Sequence, residues 1–324
     1  MAQISRRVVA MSADMSGDRW KVVALSVALD LALGEPPERW HPVVWMGRLV
    51  KKLEGRAPRE GRVLPLAYGA VVEAVCLAAV ALPARLWERA ADAIPAVALP
   101  LQAIALKPTF SVKALFAMVG EVERALERGD LAGARGAVGR IVSRDVEGLD
   151  GSGVAAAAVE SLAENAGDSV VAPLLYYTVL GLPGAYGYRM TNTMDAMLGY
   201  RGRYEYLGKA AARLDDLLNL LPSRLAALAM VAASRLAGGS PARAWAIARR
   251  DSSRTASPNA GWPMAAAAGA LDRRLEKIGH YVLNPEGVLP QVEDIRRARR
   301  LVGASLVLAV LGVLVVRVVL RRSA

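Results

Sequence analysis

Long apolar runs punctuated by single carboxylates constrain this chain more than any other feature of its sequence. Val63 to Leu82 and Leu301 to Leu320 each reach the length of about 20 residues that a helix needs to cross a bilayer. No period-2 pattern typical of strands stands out. The sequence therefore predicts an all-α, polytopic integral membrane protein with roughly four to six transmembrane or re-entrant helices and an extramembrane helical lobe. The other apolar runs are 22–33, 93–106, 170–187 and 217–236.

Composition supports the same class. Hydrophobic residues make up 54% of the 324 positions, yet aromatics make up only 5%, so Ala, Leu and Val dominate and favour helices. A soluble, Ala-rich helical enzyme is the alternative, and the apolar run at 301–320 argues against it. We expect a multi-pass protein of the cell membrane.

Changes in composition along the chain predict its organisation. The predicted segments are an N-terminal extension (1–21), N-terminal membrane segments (22–106), an amphipathic helical lobe (107–168), membrane segments with an acidic loop (169–237), an extramembrane region (238–300) and a C-terminal transmembrane helix (301–324).

The charged and reactive residues exclude several classes of function. The formal net charge is +11, but the arginines are dispersed and not interleaved with stacking aromatics, so no nucleic-acid partner is expected. The lipid bilayer is the expected partner of the basic loops. One cysteine, Cys76, and two histidines leave little for a disulfide, a thiol nucleophile or a zinc site. Any metal is therefore expected to be a hard, oxygen-liganded ion such as Mg²⁺.

An acidic stripe is the first candidate site. Glu160, Glu164 and Asp168 recur every fourth residue and so share one helical face. The conventional interpretation is a solvated face, but no Lys or Arg lies four residues away to pair with these acids. We therefore predict that the stripe holds a metal ion.

Further polar groups lie beside apolar runs. Asp30, Glu35 and His41 surround a Pro/Gly turn that either presents them to a substrate or ends a helix at the membrane surface. Asp215 and Asp216 are predicted at the N-terminus of an apolar helix. The helix dipole favours a carboxylate there and would account for the presence of one of the two. The Pro/Asn/Gly loop 257–263, which follows Arg250, can present backbone N–H groups to an anion.

These strings, in this order, resemble the adenosylcobinamide-phosphate synthases of cobalamin biosynthesis, the CobD/CbiB family, over residues 22 to 290. The sequence departs from the family at Met194-Asp195-Ala196, where Leu-Asp-Ser is frequent, and at Ala166-Gly167. The matching pieces are Leu29-Asp30, Gly34-Glu35-Pro36-Pro37, His41-Pro42, Gly139 to Asp145, Val159 to Asn165 with Asp168, Asn192-Thr193-Met194-Asp195, Gly199-Tyr200, Ala212 to Asp216, Pro222 to Leu225 and Ser257 to Pro263.

The resemblance implies an amide ligation. An amino-alcohol phosphate, such as (R)-1-amino-2-propanol O-2-phosphate, would be joined to the propionate carboxylate of adenosylcobyric acid. ATP and Mg²⁺ are implied as cofactors, an acyl phosphate as the intermediate, and the corrinoid as substrate. Other corrinoid-pathway enzymes are implied as further partners.

The resemblance also suggests roles for the polar residues. The proton of the ammonium group would pass to His41 or to one of the acids. The catalytic and metal-binding set is Glu160, Glu164, Asp168 and Asp195. The substrate-binding set is Asp30, Glu35, Arg144, Asn165, Asn192, Tyr200, Arg201, Arg213, Asp215, Asp216, Arg250, Ser257, Asn259 and Trp262.

Three other functions compete with this interpretation. An intramembrane Mg-dependent prenyltransferase also uses Asn/Asp motifs, but its widely spaced aspartate-rich pair is absent here. A non-catalytic, AmpE-like membrane signalling protein would not need the acids that this chain has. A transporter is disfavoured because no internal repeat is evident.

Overall fold

The computed structural model describes residues 19–200 and 202–322, with side chains described as far as Val313. Helices dominate, and the strands in the described part form one short hairpin, which confirms the predicted all-α class. Most of the predicted N-terminal extension, Arg201 and the side chains of the last part of the predicted C-terminal span lie outside the described residues.

The elements follow one another in a simple order. The helices are α1 (Arg19–Leu33), α2 (Pro42–Glu54), α3 (Val63–Asp92), α4 (Pro95–Leu106), α5 (Lys113–Glu127), α6 (Leu131–Gly139), α7 (Gly151–Ala166), α8 (Ala172–Leu180), α9 (Leu182–Leu198), α10 (Lys209–Leu218), α11 (Leu220–Ala233), α12 (Pro241–Asp251), α13 (Gly261–Leu271) and α14 (Val292–Arg322), with strands β1 (Leu275–Lys277) and β2 (Tyr281–Leu283) before α14.

Three helical stretches in the described part are long and apolar enough to cross a membrane. They are Val63–Asp92, Pro95–Glu127 and Leu220–Ala237. All three contain or overlap apolar runs predicted from the sequence, namely 63–82, 93–106 and 217–236. Pro95–Glu127 joins the apolar run 93–106 to the amphipathic helix that the sequence places in the lobe.

The predicted apolar run 170–187 is divided between two helices. Gly181 adopts φ +76°, a conformation that L side chains rarely adopt, and Pro183 follows at the start of α9. The carboxylate of Glu88 fills the space beside Gly181 and accepts a hydrogen bond from the backbone N–H of Leu182, at 3.3 Å. Gly181 therefore ends α8, and Glu88 of α3 accepts a hydrogen bond from the first residue of α9.

The chain forms two compact units, each assembled from separated stretches. The first unit comprises Met1–Ser111, Pro173–Leu217 and Val316–Ala324, and the second comprises Val112–Ala172 and Leu218–Val315. In the first unit α9 packs against α3 and α2, and α1 packs against α4. Its core is made of Met46, Val50, Val72, Cys76, Met190, Met194, Leu198, Leu207 and Ala211.

The core of the second unit is α13. This helix reads GWPMAAAAGAL, and every side chain except that of Trp262 is buried, as expected of a helix that is apolar all round. It packs against α7, α11 and α12. Small residues permit this close approach: a Cβ at Gly269 would lie 2.9 Å from the Ala244 Cα and from the Arg243 carbonyl oxygen.

We predict that Gly269→Ala destabilises the protein, because the added methyl group meets backbone atoms of α12 that cannot rotate away. Overpacking of this kind costs about 1–3 kcal/mol. The matched control is Gly136→Ala in α6, where a Cβ meets nothing within 4 Å and helix propensity favours Ala by up to about 1 kcal/mol. Thermal unfolding in detergent should show a lower Tm for the first variant alone. Equal Tm values for the two variants would contradict the packing of α12 on α13.

Candidate active site

The predicted residues Asp30, Glu35 and His41 meet in the first unit around Lys107, a residue that sequence reasoning missed. The Lys107 Nζ atom lies 2.9 Å from Glu35 Oε2 and 3.3 Å from Asp30 Oδ1. His41 Nδ1 accepts a hydrogen bond from the Val43 N–H, so its proton is on Nε2, which donates to Glu35 Oε2 at 2.9 Å. Both ring nitrogens of His41 are therefore engaged, and it caps α2.

These contacts keep the Glu35 carboxyl ionised at neutral pH. Burial opposes ionisation of this carboxyl, but hydrogen bonds from His41 and Lys107 and the charge of Lys107 outweigh burial and lower its pKa to about 2. Glu35 and Lys107 are also the charged residues on the wall of a cavity of about 1060 Å³ in the first unit, whose wall is otherwise mostly apolar and includes Trp40, Trp45 and Trp87.

A second acidic group in the first unit surrounds α9. The Glu73 carboxylate, buried on α3, accepts a hydrogen bond from Thr191 Oγ1 at 2.7 Å. Asn192 Nδ2 donates to Asp215 Oδ1 at 3.3 Å. Burial, together with the charges of Asp215, Asp216 and Glu73, raises the pKa of Asp195 to about 7. Asn192, Asp195, Asp215 and Asp216 therefore lie close together, with Glu73 as an additional member. Asp215 and Asp216 lie near the end of α10, and not at the start of an apolar helix as the sequence predicts.

Other predicted residues of the first unit have weaker ties to this group. The charge of Arg213 opposes the rise that burial causes in the pKa of Asp216, which places the guanidinium near that carboxyl. Tyr200 is half exposed. Arg201 lies outside the described residues.

The second unit buries the ion pair of Arg144 with Glu160. Arg144 Nη2 lies 2.9 Å from Glu160 Oε2, and the side chains are only 11% and 5% exposed. Ser161 Oγ on α7 donates to the Ile141 carbonyl at 2.7 Å and so holds the loop that carries Arg144 against the helix. The sequence offered no basic partner for the acids of α7, but the loop before this helix supplies Arg144 to Glu160.

This pair is not fully hydrogen-bonded. Within the described residues, Arg144 Nε and Glu160 Oε1 are buried and have no hydrogen-bond partner. Burial, together with the charge of Glu164, raises the pKa of Glu160 to about 7 against the lowering effect of Arg144. A buried donor or acceptor without a partner costs about 1–3 kcal/mol, and here both members of one ion pair carry such an atom.

The remainder of the stripe follows α7 into a π-helical turn, Gly167–Val171, which contains Asp168. Such turns are frequent at functional sites because they change the direction of side chains along a helix. Asn165 is engaged within its own helix: its Nδ2 donates to the Ser161 carbonyl at 2.9 Å, and its Oδ1 accepts from Ser169 Oγ at 3.0 Å.

The predicted metal set is divided between the units. Glu160, Glu164 and Asp168 belong to the second unit, and Asp195 belongs to the first. Among the described residues, no group of three or more Asp, Glu, His or Cys side chains is placed to hold a metal ion.

The structure places the predicted anion-binding residues in internal contacts. Arg250 hydrogen-bonds to both carboxylate oxygens of Asp251 and to both of Glu286. In the 257–263 loop, Ser257 Oγ accepts from the backbone N–H groups of Asn259 and Ala260, at 3.2 Å each.

Arg224, which sequence reasoning missed, connects this loop to α11. Its Nη1 donates to Asn259 Oδ1 at 2.6 Å, and its guanidinium stacks on the Trp262 ring at 5.2 Å from the centroid. Asn259 and Trp262 therefore both contact the Arg224 guanidinium. A basic residue within the apolar run 217–236 was the sequence feature that could have indicated Arg224, and Lys107 directly follows the apolar run 93–106.

We predict that Glu35→Gln destabilises the protein near neutral pH. The lowered pKa of Glu35 contributes stability that is complete above the unfolded-state pKa of 4.5 and is lost as pH falls towards 2. A shift of this size corresponds to about 3 kcal/mol at most. The Tm difference from wild type should be constant between pH 6 and 8 and should shrink below pH ~4.5.

Glu38→Gln is the matched control for this prediction, because Glu38 is exposed on the adjacent turn. Thermal unfolding of the detergent-purified variants across that pH range is the measurement. A Tm for Glu35→Gln at pH 7 that equals that of Glu38→Gln would overturn the role of the Glu35 contacts.

Comparison with known proteins identifies the family. The family model described as CobD/Cbib protein matches residues 23–316. A cobalamin biosynthesis protein CobD of Dehalococcoides mccartyi is 42% identical over 275 residues, which cover 83% of this chain and 89% of the relative. The corresponding protein of Rhodobacter capsulatus is 40% identical over 313 residues, covering 90% and 97%.

A probable cobalamin biosynthesis protein CobD of Methanothermobacter thermautotrophicus is 41% identical over 266 residues, covering 81% of this chain and 86% of the relative. No solved structure matches the chain. The family match over most of the chain and the relatives at about 40% identity agree with the all-helical, membrane-capable fold. The chain belongs to the CobD/CbiB family of cobalamin biosynthesis proteins.

Proposed function

We propose that the protein joins an amino-alcohol phosphate, such as (R)-1-amino-2-propanol O-2-phosphate, to the propionate carboxylate of adenosylcobyric acid, giving adenosylcobinamide phosphate. The proposal includes dependence on ATP and Mg²⁺ and a place in the cell membrane as a multi-pass protein. Family membership supports a corrinoid substrate. The three membrane-capable helices support membrane association.

The chemistry must activate a carboxylate, which does not accept an amine at neutral pH. Transfer of the terminal phosphoryl group of ATP to the propionate oxygen gives an acyl phosphate and ADP. Attack by the free amine then forms the C–N bond, and inorganic phosphate leaves with the C–O bond electrons. One proton is released, since the substrate arrives as an ammonium ion. The protein must therefore bind the phosphorylated amine and remove that proton.

The buried pair of Arg144 and Glu160 is the observation that carries the proposal. An amino-alcohol phosphate is a zwitterion, with an anionic phosphate at one end and a cationic ammonium at the other. Arg144 supplies a buried N–H donor that has no hydrogen-bond partner in the described chain. Glu160 supplies a buried acceptor that likewise has no partner there. A ligand carrying both charges would satisfy both groups.

In this proposal Glu160 holds the ammonium group and takes its proton. The Oε1 atom without a hydrogen-bond partner is the position from which a carboxylate can accept the proton directly. His41 is less suited to the role because both of its ring nitrogens are already engaged. Glu164 adds negative charge beside Glu160 and favours a cation there.

Magnesium fits best as an ion that arrives with nucleotide phosphates. Mg²⁺ usually keeps several waters and takes one or two protein carboxylates together with phosphate oxygens, so a preformed cluster of three is not required. Asp195 and Asp215 would hold it, because the repulsion that raises the pKa of Asp195 is relieved by a cation. Bound there, the ion would offset the phosphate charge. Roles for Glu164 and Asp168 as metal ligands, and for the other predicted substrate-binding residues, remain part of the proposal.

The family match does not favour the signalling or prenyltransferase alternatives. The deciding experiment uses detergent-purified protein with adenosylcobyric acid, the amino-alcohol phosphate and MgCl₂, with ATP present or omitted. Mass spectrometry of the corrinoid should detect addition of the amino-alcohol phosphate only when ATP is present. Absence of product from folded protein, with a known synthase active in parallel, would refute the proposal.

Glu160→Gln is the most informative variant for this reaction. The amide keeps the shape of the side chain but cannot accept the ammonium proton, so we expect kcat to fall about 10²–10⁴-fold. The matched control is Glu293→Gln, an exposed acid at the start of α14, which should retain wild-type turnover. A Glu160→Gln enzyme with wild-type kcat would remove this carboxylate from the mechanism.

Removal of the acids proposed for the metal gives a further prediction. Asp195→Asn should raise the Mg²⁺ concentration required for half-maximal turnover by about tenfold or more, because one carboxylate ligand is lost. Glu164→Ala and Asp168→Ala test the earlier assignment in the same titration. An Mg²⁺ requirement unchanged in all three variants would eliminate these carboxylates as ligands.

A further inference from the structure

The short hairpin formed by β1 and β2 packs against α7 in the second unit. Its pairing sets Leu275 opposite Leu283 and Lys277 opposite Tyr281. Directly paired residues of an antiparallel hairpin lie side by side on one face, and residues two apart share that face. Because Leu275 and Leu283 are fully buried, this is the face turned towards the body of the unit. Lys277 and Tyr281 therefore lie on the inner face, at its end.

That inner face meets the Arg144 and Glu160 pair. Arg144 Nη1 lies 3.5 Å from the Glu276 carbonyl oxygen of β1, so the arginine contacts the hairpin backbone. The charge of Lys277 acts on the Glu160 carboxyl, and the Tyr281 hydroxyl lies near the same carboxyl. The hairpin and α7 thus bring together groups that are far apart in sequence.

Lys277 is a half-buried cation without a close partner. In the part of the chain that the structure describes, its ammonium group forms no hydrogen bond or ion pair and acts on Glu160 only through its charge. The Tyr281 hydroxyl contacts the Met264 sulfur, a weak acceptor, at 3.8 Å. Burial and the charges of Glu160 and Glu164 raise the pKa of Tyr281, so its hydroxyl remains a donor.

We propose that Lys277 and Tyr281 complete the Arg144 and Glu160 site as the residues that recognise the phosphate of the amino-alcohol phosphate. This inference rests on the proposed function and deepens it. A phosphate monoester accepts hydrogen bonds through three oxygens, and Arg144, Lys277 and Tyr281 provide three donors of different type. The Glu160 carboxylate would hold the ammonium end. The site would therefore select a phosphorylated amine over the corresponding free amino alcohol.

The test compares turnover of the phosphorylated and the unphosphorylated amine. For Lys277→Gln we expect KM for the amino-alcohol phosphate to rise about 10–100-fold while KM for ATP is unchanged. For 1-amino-2-propanol, which carries no phosphate, kcat/KM should fall much less, so the preference for the phosphorylated amine decreases. Tyr281→Phe should lose about 3–10-fold of that preference.

Arg274→Gln is the matched control. Arg274 is a cation next to the same hairpin, but its guanidinium pairs with Glu276, which lies on the opposite face. This variant should keep the wild-type preference. A Lys277→Gln enzyme with the wild-type preference, or one in which KM for ATP rises instead, would overturn the inference.

A binding measurement separates this inference from the proposed function. Titration calorimetry with O-phosphoethanolamine and with ethanolamine requires no turnover. Wild-type protein should bind the phosphorylated probe at least tenfold more tightly, and Lys277→Gln should remove that difference. If no ligation product forms yet this pattern is found, the phosphate site stands and the reaction fails. If product forms but Lys277→Gln does not alter probe binding, the reaction stands and the phosphate site fails.

Discussion

Buried charge in an apolar helical protein is the constraint on which the rest of this structure depends. Each buried carboxylate must find a cation, hydrogen-bond donors or a ligand, because an isolated charge in such surroundings is strongly disfavoured. Glu35 contacts Lys107 and His41, and Glu73 accepts a hydrogen bond from Thr191. Asp251 forms ion pairs with two arginines. Some of these partners come from helix ends: His41 caps α2, and Lys107 directly follows α4. In the Arg144 and Glu160 pair both members keep a buried polar atom without a hydrogen-bond partner among the described residues, whereas at Glu35 and Glu73 only the carboxylate does.

The two units solve the packing problem in different ways. Small residues on α13 let α7, α11 and α12 approach closely. The buried polar groups of the second unit lie on these neighbouring helices, such as Glu160 on α7, Ser223 on α11 and Asp251 on α12. In the first unit, larger side chains such as Met190 and Met194 fill the core, and α9 carries polar groups on its other face.

Local periodicity revealed much of the fold and part of the site from the sequence. The helical class and two of the apolar stretches follow from composition and run length, and spacing alone placed Glu160 and Glu164 on one helix. The partners could not be predicted this way. Arg144 comes from a loop before α7, Lys107 from the end of α4, and Lys277 from a hairpin whose inner face is fixed only by strand register. Long-range pairing of charges depends on tertiary packing, which no local pattern encodes.

Cys76 is fully buried in the core of the first unit and is the only cysteine in the chain. A thiol so enclosed is shielded from water-soluble maleimides while the protein stays folded. The natural chain is therefore already a suitable background for single-cysteine labelling. One new cysteine at an exposed loop position would be the only reactive thiol, and its modification from either side of a sealed vesicle would report the side of the membrane on which that loop lies. The orientation of each loop becomes accessible without first removing a core residue.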